Sequence, residues 1–315
     1  MRIITRIILI LTLGATPALS DDTITVSDEI TLLGLYPWET LLGYTARVKI
    51  PFLRGAMPLT EGNNITLKFN TAITPVSINA SADAVWTPVA LLELSAGGAA
   101  GSGWNIVFFG SDCYGIGINK ADADGAAVTD GSAFDGILWR LRAGGALQFD
   151  LGAVFPGDWN HVVARTYHEI NRKEYTRASA RDSWYFEDDD GENVNGFNYH
   201  GSFLIGYRMP AFIDFAALLA EADLHLHNTP NREQWRDDKI RWTLSALANI
   251  PVIPDRLDVT LITQFRTRRN YVNDGTNWET IYYRDRQVDA NNPVRAEFWR
   301  VIAAVTYKGF WFGGR

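Results

Sequence analysis

The chain has 315 residues with a single cysteine, Cys113, so an internal disulfide framework is excluded and stability must come from size and sheet closure. The formal net charge of −7, without a basic cluster, argues against nucleic acid as a partner. Beyond residue 20 no stretch offers about 18 uninterrupted apolar residues, which argues against a membrane-spanning helix. The 11 tryptophans are typical of chains that meet a lipid–water boundary.

The first 20 residues have the three parts of a secretory signal. Arg2 and Arg6 supply the basic start, residues 7–13 the apolar centre, and Ala18-Leu19-Ser20 a cleavage site of the small-x-small kind. We therefore predict a signal peptide at 1–20 and an exported mature chain. Because lipid offers no partner to open backbone groups, such a chain can be embedded in a membrane only as a closed barrel.

The rest of the chain alternates between apolar and polar residues with a period of two, which is the pattern of strands. Residues 21–37 fit either an N-terminal segment or a first strand, and we assign 38–315 to one barrel domain. The alternating runs cover 41–50, 64–73, 76–86, 137–154, 197–209, 215–227, 239–250, 257–268 and 299–307, with a weaker run at 89–98 and a strand of ambiguous facing at 161–170. In the last run Trp299, Val301 and Val305 are predicted to face outward.

The clearest pair of runs lies at 196–228, on both sides of a short turn that contains Pro210. Phe197, Phe203 and Ile205 share one face of the first run, and the opposite face is mostly polar. Twelve steps of about 3.4 Å, tilted by about 45°, cover roughly 28 Å of height, against about 25 Å for the apolar band of an outer-membrane barrel. Strands of this length are twice those of most soluble sheets.

The connections between the runs alternate in length. Long polar connections at 98–133, 171–195, 231–238 and 271–293 are interleaved with short turns at 155–158, 210–212 and 251–256. Long loops at one end and short turns at the other are expected of a membrane barrel. We therefore predict an all-β fold, a transmembrane antiparallel up-and-down β-barrel of about 12 strands (10–14).

The chain resembles the bacterial outer-membrane β-barrel class, porin-like but without a specific family. The resemblance rests on the signal, the alternating strands and the aromatic, glycine-containing end Tyr307-Lys308-Gly309-Phe310-Trp311-Phe312, although Gly313-Gly314-Arg315 follows where a terminal aromatic is usual. It implies a location in the outer membrane of a diderm bacterium. It also implies outer-membrane lipid and the barrel-assembly machinery as partners, with small solutes or ions passing through.

Charged and imidazole side chains fall on the inner face of several runs. We predict that they line a pore, because rings of charge set the selectivity of channels. The predicted pore-lining residues are Glu221, Asp223, His225, His227, His200, Arg208, Arg241, Arg140, Arg142, Arg266 and Arg268. The hairpin register places His200 and Asn198 near Asp223 and His225, with Arg241 opposite His225. The predicted function is a passive channel for ions or small solutes, without catalysis.

Two other functions remain open at this stage. The inward groups could pair and fill the lumen, giving a non-conducting surface barrel that acts as an adhesin or structural antigen. Ser202 and His200 share a face, as a lipid-modifying hydrolase would need, although such enzymes place these residues toward lipid. We predict no metal site, since His225 and His227 alone are too few ligands for zinc, and no cofactor.

Overall fold

The structure, a computed structural model, describes residues 23–36, 39–108, 111–121, 127–130, 133–179, 182–187, 193–227, 229, 239–270 and 289–312. The predicted signal peptide at 1–20 and the end of the chain at 313–315 lie outside these ranges. The strands in the described ranges are β1 (Thr25–Tyr36), β2 (Glu39–Pro51), β3 (Asn64–Ile73), β4 (Ser77–Val89), β5 (Leu92–Gly103), β6 (Ile106–Phe108), β7 (Ser111–Cys113), β8 (Ile116–Ala121), β9 (Ala127–Asp130), β10 (Leu138–Asp150), β11 (His161–Tyr175), β12 (Trp184–Phe186), β13 (Gly196–Arg208), β14 (Phe215–His225), β15 (Arg241–Ile253), β16 (Leu257–Arg269) and β17 (Val294–Phe312).

Twelve of these strands close into one antiparallel barrel, which confirms the predicted fold class and strand number. Around the wall the order is β1-β17-β16-β15-β14-β13-β11-β10-β5-β4-β3-β2. Strand β1 pairs with both β2 and β17, so the first and last strands complete the ring. Because this sheet closes on itself, each of its twelve strands is paired on both sides.

Side chains alternate between the outer surface and the interior along each barrel strand. On β1, Leu32 is 58% exposed and its neighbour Leu33 is 1% exposed. Large apolar residues are likewise exposed on the outer face of other strands, among them Leu141, Ile205, Leu218 and Leu244. The interior holds buried polar and charged groups instead, so the barrel is apolar outside and mixed inside, the reverse of a soluble sandwich.

The two ends of the barrel differ in their connections. One end carries the connections after β5, β11, β14 and β16, which are the long ones. The opposite end carries both ends of the ring, Thr25 and Phe312, together with shorter turns such as 209–214 and 254–256. By the rule that long loops face outward, we call the first end extracellular and the second periplasmic.

Several strands run beyond their predicted limits, among them β5, β11 and β15. Strand β5 continues to Gly103 and β11 to Tyr175, where the sequence predicts loops from 98 and 171. The end of β5 consists of Gly, Ala and Ser, whose small side chains show no alternation. Strand β15 passes through a predicted turn to Ile253, and its Pro251 lies at a register shift where the ladder is already interrupted.

Strand β10, in contrast, is shorter than predicted, because it ends before the predicted limit at 154. It stops at Asp150, whose side chain caps a 3₁₀ turn, Leu151–Ala153, by accepting a hydrogen bond from the Gly152 amide. Apolar residues continue through this turn, so the sequence pattern does not mark the boundary.

Secondary structure outside the barrel consists of small pieces. Strands β12, β8 and β9 form a three-stranded sheet, β6 and β7 pair with each other, and residues Pro58–Glu61 form one helical turn. Among the residues that the structure describes, no helix has the length and apolar character needed to cross a membrane. The three-stranded sheet belongs to the extracellular end.

Candidate functional site

The lumen face divides into two parts that differ in packing. We call the inner face of β13–β17 and β1 the closed wall, because most of its side chains are buried. We call the inner face of β3, β4, β5 and β10 the polar wall, because many of its residues keep an intermediate exposure. Since an open aqueous lumen would leave both faces exposed, the closed wall is covered by other side chains of the interior.

An apolar row crosses the closed wall in register. Leu35 pairs with Ile302, Ile302 with Ile262, Ile262 with Leu247, and Leu247 with Ala217. All five residues are at most 8% exposed, and Ile302 is fully buried. They belong to one cluster that also contains Leu33, Leu41, Leu204 and Leu219. A dry cluster of this size holds its strands by packing and leaves no water path along that side.

The predicted histidine and carboxylate cluster lies on the closed wall, extracellular to the apolar row. Asn198 pairs with His225 and His200 with Asp223, as the hairpin register predicts. His200 Nδ1 lies 3.1 Å from Asp223 Oδ1, and its Nε2 lies 3.9 Å from Glu221 Oε1. His200, His225 and Glu221 are each 2% exposed. Among described residues, no group of three or more His, Cys, Asp or Glu could hold a metal ion.

Arg241 reaches His225 by a different pairing from the one predicted. In the strand register its partner is Asp223 rather than His225, and only its guanidinium approaches His225, at 3.3 Å from Nε2. A small pocket beside this contact is lined by Arg140, Asn171, Lys173, Asn198, Tyr199, Asp223, Leu224 and Arg241. The arginine side chain is long enough to reach from the position opposite Asp223 to His225, two residues further along β14. Strand alternation alone does not predict this contact.

Trp299 was predicted to face outward, and this prediction is wrong. Gln264 pairs with Arg300 and Phe265 with Phe298, so Trp299 is the extra residue of a β-bulge on β17. It packs against the closed-wall cluster, and the guanidinium groups of Arg266 and Arg300 lie over its ring, at 4.7 Å and 3.9 Å from the ring centre. A bulge reverses the phase of alternation, and no sequence period reveals it.

The polar wall combines ion pairs with small residues. Arg142 binds Asp83 with two hydrogen bonds, one of them 2.6 Å from Nε to Oδ1, and Arg165 of β11 pairs with Glu93 at 2.8 Å. The Arg142–Asp83 pair crosses Gly97, where an added Cβ would lie 2.0 Å from the Asp83 carboxylate. Small residues on this wall are Ser81, Ser95, Gly97, Ala99 and Gly144. These side chains are smaller than the branched apolar side chains of the closed wall.

The extracellular end of the polar wall is covered by loop residues, which we call the cap: residues 111–121, 182–187 and 193–195. Ile116, Trp184 and Phe186 are at most 1% exposed and form a core with Leu138 and Tyr175 of the barrel. The cap is anchored to inward-facing groups. The Ser77 hydroxyl donates to Glu187 Oε1 at 2.5 Å, and Lys173 Nζ donates to Asn193 Oδ1 at 2.6 Å.

The other predicted pore residues are spread over the length of the lumen. Arg266 pairs with Glu297 at 2.9 Å, and Arg140 is 8% exposed in the interior of β10. Arg208 ends β13 at the periplasmic end, whereas Arg268 lies near the extracellular end of β16. His227 follows β14, and its Nδ1 lies 2.9 Å from the Phe197 carbonyl oxygen. The structure thus brings together His200, Glu221, Asp223, His225 and Arg241, and leaves Arg208 apart.

Several interior charges were absent from the predicted site. Lys68, Asp83, Glu93 and Arg165 belong to the polar wall or pair with it, and Glu297 and Arg300 to the extracellular part of the closed wall. Inward facing of Lys68 and Asp83 follows from the alternation of β3 and β4. Whether such a residue lies in a packed part of the lumen depends on contacts between strands, and the period of alternation does not predict those contacts.

A closed barrel of twelve long antiparallel strands pairs each strand on both sides and carries mainly apolar side chains on its outer face, which is the form in which a sheet can span lipid. The chain is therefore an outer-membrane β-barrel protein of a diderm bacterium. No known protein family and no curated protein matches its sequence.

Solved structures similar to this chain are outer-membrane barrels of low sequence identity. The KdgM porin is 10% identical with a TM-score of 0.36, covering 89% of this chain and 98% of that one. The β domain of the Bordetella autotransporter BrkA is 11% identical with a TM-score of 0.41, covering 91% and 99%. The translocator domain of the autotransporter NalP from Neisseria meningitidis is 12% identical with a TM-score of 0.37, covering 97% and 94%.

Proposed function

We propose that this protein is a gated pore for ions or small solutes, with its path along the polar wall. The observation that supports this proposal is the difference in exposure between the two walls. The closed wall is packed around a dry apolar row, so a path can follow only the side where small residues and charges meet. Its partners are then the solute inside the barrel, outer-membrane lipid outside, and the machinery that assembles barrels.

The path has charges of both signs. Lys68, Arg142 and Arg165 face Asp83 and Glu93, and the two arginines are held in ion pairs. Each pair bridges one intervening strand along the same side of the lumen, and charged side chains that line a channel set which ions pass. The pairs also order the long arginine side chains, so at rest the passage is narrow.

The cap is the second barrier. It covers the extracellular end of the polar wall, where Ser77 is fully buried and Glu187 is 4% exposed. Its attachment at this point is the hydrogen bond from the Ser77 hydroxyl to the Glu187 carboxylate. Loss of that bond should let the cap move without disturbing the barrel, because β4 keeps its ladder with β3 and β5.

The test is single-channel recording of the refolded mature chain in a planar bilayer, comparing the wild type with Glu187→Ala. We expect brief, infrequent openings for the wild type and an open probability raised about tenfold or more for the variant, since a tenfold change needs only about 1.4 kcal/mol. The matched control is Glu174→Gln, near the same end of the barrel but paired with Arg172 on its outer face. A folded, heat-modifiable barrel that never conducts in either form would overturn the proposal.

A second function is favoured by the apolar row of the closed wall. A barrel whose interior is packed from Leu35 to Ala217 is well suited to act as a rigid surface protein that conducts nothing. The same recordings separate the two functions. Absence of openings in the Glu187→Ala protein, together with a native unfolding transition, would favour the non-conducting barrel.

A further inference from the structure

Lys68 is an inward-facing lysine in the middle of β3, on the polar wall. In the strand register it lies between Arg47 of β2 and Asp83 of β4. Among the residues that the structure describes, none forms an ion pair or a side-chain hydrogen bond with the Lys68 ammonium, not even Asp83 directly opposite. A lysine without a counter-charge is stable only where water or an anion reaches it, and Lys68 keeps an intermediate exposure.

The carboxylate opposite Lys68 is engaged on its other side. Both oxygens of Asp83 accept hydrogen bonds from Arg142. In the register Asp83 pairs with Gly97, and Gly97 pairs with Arg142, so no side chain stands between the carboxylate and the guanidinium. The glycine therefore lets Arg142 reach across β5 and take the counter-ion that strand pairing alone would give to Lys68.

The other charges nearby are paired in the same way. Arg47 donates to the two carboxylate oxygens of Glu29, at 2.9 and 2.6 Å, and Arg165 lies 2.8 Å from Glu93. Opposite charges in contact largely cancel one another's field, whereas the field of a lone ammonium persists. Lys68 is thus the cation of this group that stays available to a passing charge.

The neutral polar groups around Lys68 are bonded among themselves. Along β3, Thr66 donates to Asn64 at 2.8 Å, and Asn70 donates to the Ser81 hydroxyl at 3.0 Å. Ser81 lies diagonally across from Lys68 on β4, within the reach of a long side chain. Its hydroxyl accepts the bond from Asn70 and keeps its own hydrogen to donate. A solute beside Lys68 therefore meets an ammonium and a hydroxyl donor.

We propose that Lys68 is an anion-binding point of the passage, and that the solutes admitted by this barrel are small anions with carboxylate or phosphate oxygens. The three N–H donors of the ammonium and the hydroxyl of Ser81 bind such oxygens. The proposal deepens the pore function and rests on it, since a solute reaches Lys68 only if the polar wall borders a passage. In a narrow lumen the unpaired ammonium attracts anions and repels cations.

Binding is measured without conduction by NMR. The chain has six lysines, so ¹³C-dimethylation of the unfolded mature chain, followed by refolding in detergent, labels few sites and keeps their charge. The signal missing from Lys68→Arg is that of Lys68. We expect sodium phosphate, and separately sodium acetate, to shift this signal saturably. The signal of Lys308, which is paired with Asp258, should move little and reports the effect of ionic strength.

The effect on transport is measured as the reversal potential in a planar bilayer under a potassium chloride gradient. We expect the wild type to prefer anions, and the anion-to-cation permeability ratio to fall severalfold in Lys68→Gln. Lys68→Arg should keep the preference, because it keeps the charge. The matched control is Lys308→Gln, which removes a lysine from the closed wall and should leave the ratio unchanged. Heat-modifiable migration shows that each variant is folded.

The two measurements separate the anion site from the pore. A barrel that conducts with the wild-type ratio in Lys68→Gln, and whose Lys68 signal does not move with either anion, would overturn the inference and leave the pore standing. A saturable shift of the Lys68 signal in a barrel that never conducts would support the anion site and overturn the pore.

Discussion

The two walls of the lumen are built from the same kind of strand but by different means. On the closed wall, branched apolar residues such as Ile262 and Ile302 meet in register and exclude water. On the polar wall, glycine, alanine and serine alternate with paired charges such as Arg142 and Asp83. Barrel closure constrains hydrogen bonds equally on both sides. The difference indicates that side-chain volume decides which side of the lumen is packed.

The largest expected effect is on stability of the closed wall. Ile302→Ala should lower the free energy of unfolding by about 2–5 kcal/mol, because it leaves a cavity in a fully packed row. Urea unfolding in detergent, followed by tryptophan fluorescence, measures this. The control Val301→Ala alters the adjacent residue, which is 39% exposed on the outer face, and should cost less. Equal losses would mean that the row is not packed as described.

The next largest effect concerns ion selectivity, and it is measured in variants of both walls. Asp83→Asn removes the partner of Arg142, so the reversal potential under a salt gradient should shift toward anion selectivity. Arg142→Gln should shift it the other way. Asp223→Asn, on the closed wall, should leave the reversal potential unchanged. A shift with Asp223→Asn as large as that with Asp83→Asn would place the path at the cluster predicted from the sequence.

A smaller effect should follow when the polar wall is filled. In Gly97→Val the new Cβ would lie 2.0 Å from Asp83 Oδ1, so the ion pair must move into the passage. Single-channel conductance should fall severalfold, by steric narrowing. Gly34→Val is the control, since nothing lies within 4 Å of a Cβ at that outward position. Unchanged conductance in Gly97→Val would mean that ions pass elsewhere.

The smallest expected effect concerns the bulge. Trp299→Leu removes the ring that Arg266 and Arg300 contact, and it should cost about 0.5–2 kcal/mol of stability, the range of cation–π contacts. Urea unfolding measures the loss. Trp86→Leu, at a residue 36% exposed on the outer face, provides the comparison. A larger loss at Trp86 than at Trp299 would contradict the inward placement of Trp299.

The sequence by itself determined the period of the strands, and the period determined which face most residues take. It also located one long-range contact, His200 beside Asp223, because a short turn sets the register of the hairpin that contains both. The number of strands followed from the same pattern, since each run long enough to cross the membrane becomes one barrel strand.

Only the tertiary structure decided which side of the lumen is packed and where the pattern breaks. The bulge at Trp299 and the extension of β5 to Gly103 depend on how neighbouring strands pair, and neither leaves a period in the chain. Contacts such as Ser77 with Glu187 join residues more than a hundred positions apart, which packing of the cap on the polar wall brings together. Alternation predicts that a side chain faces inward. Whether that side chain is exposed to water depends on how the other side chains of the lumen pack against it.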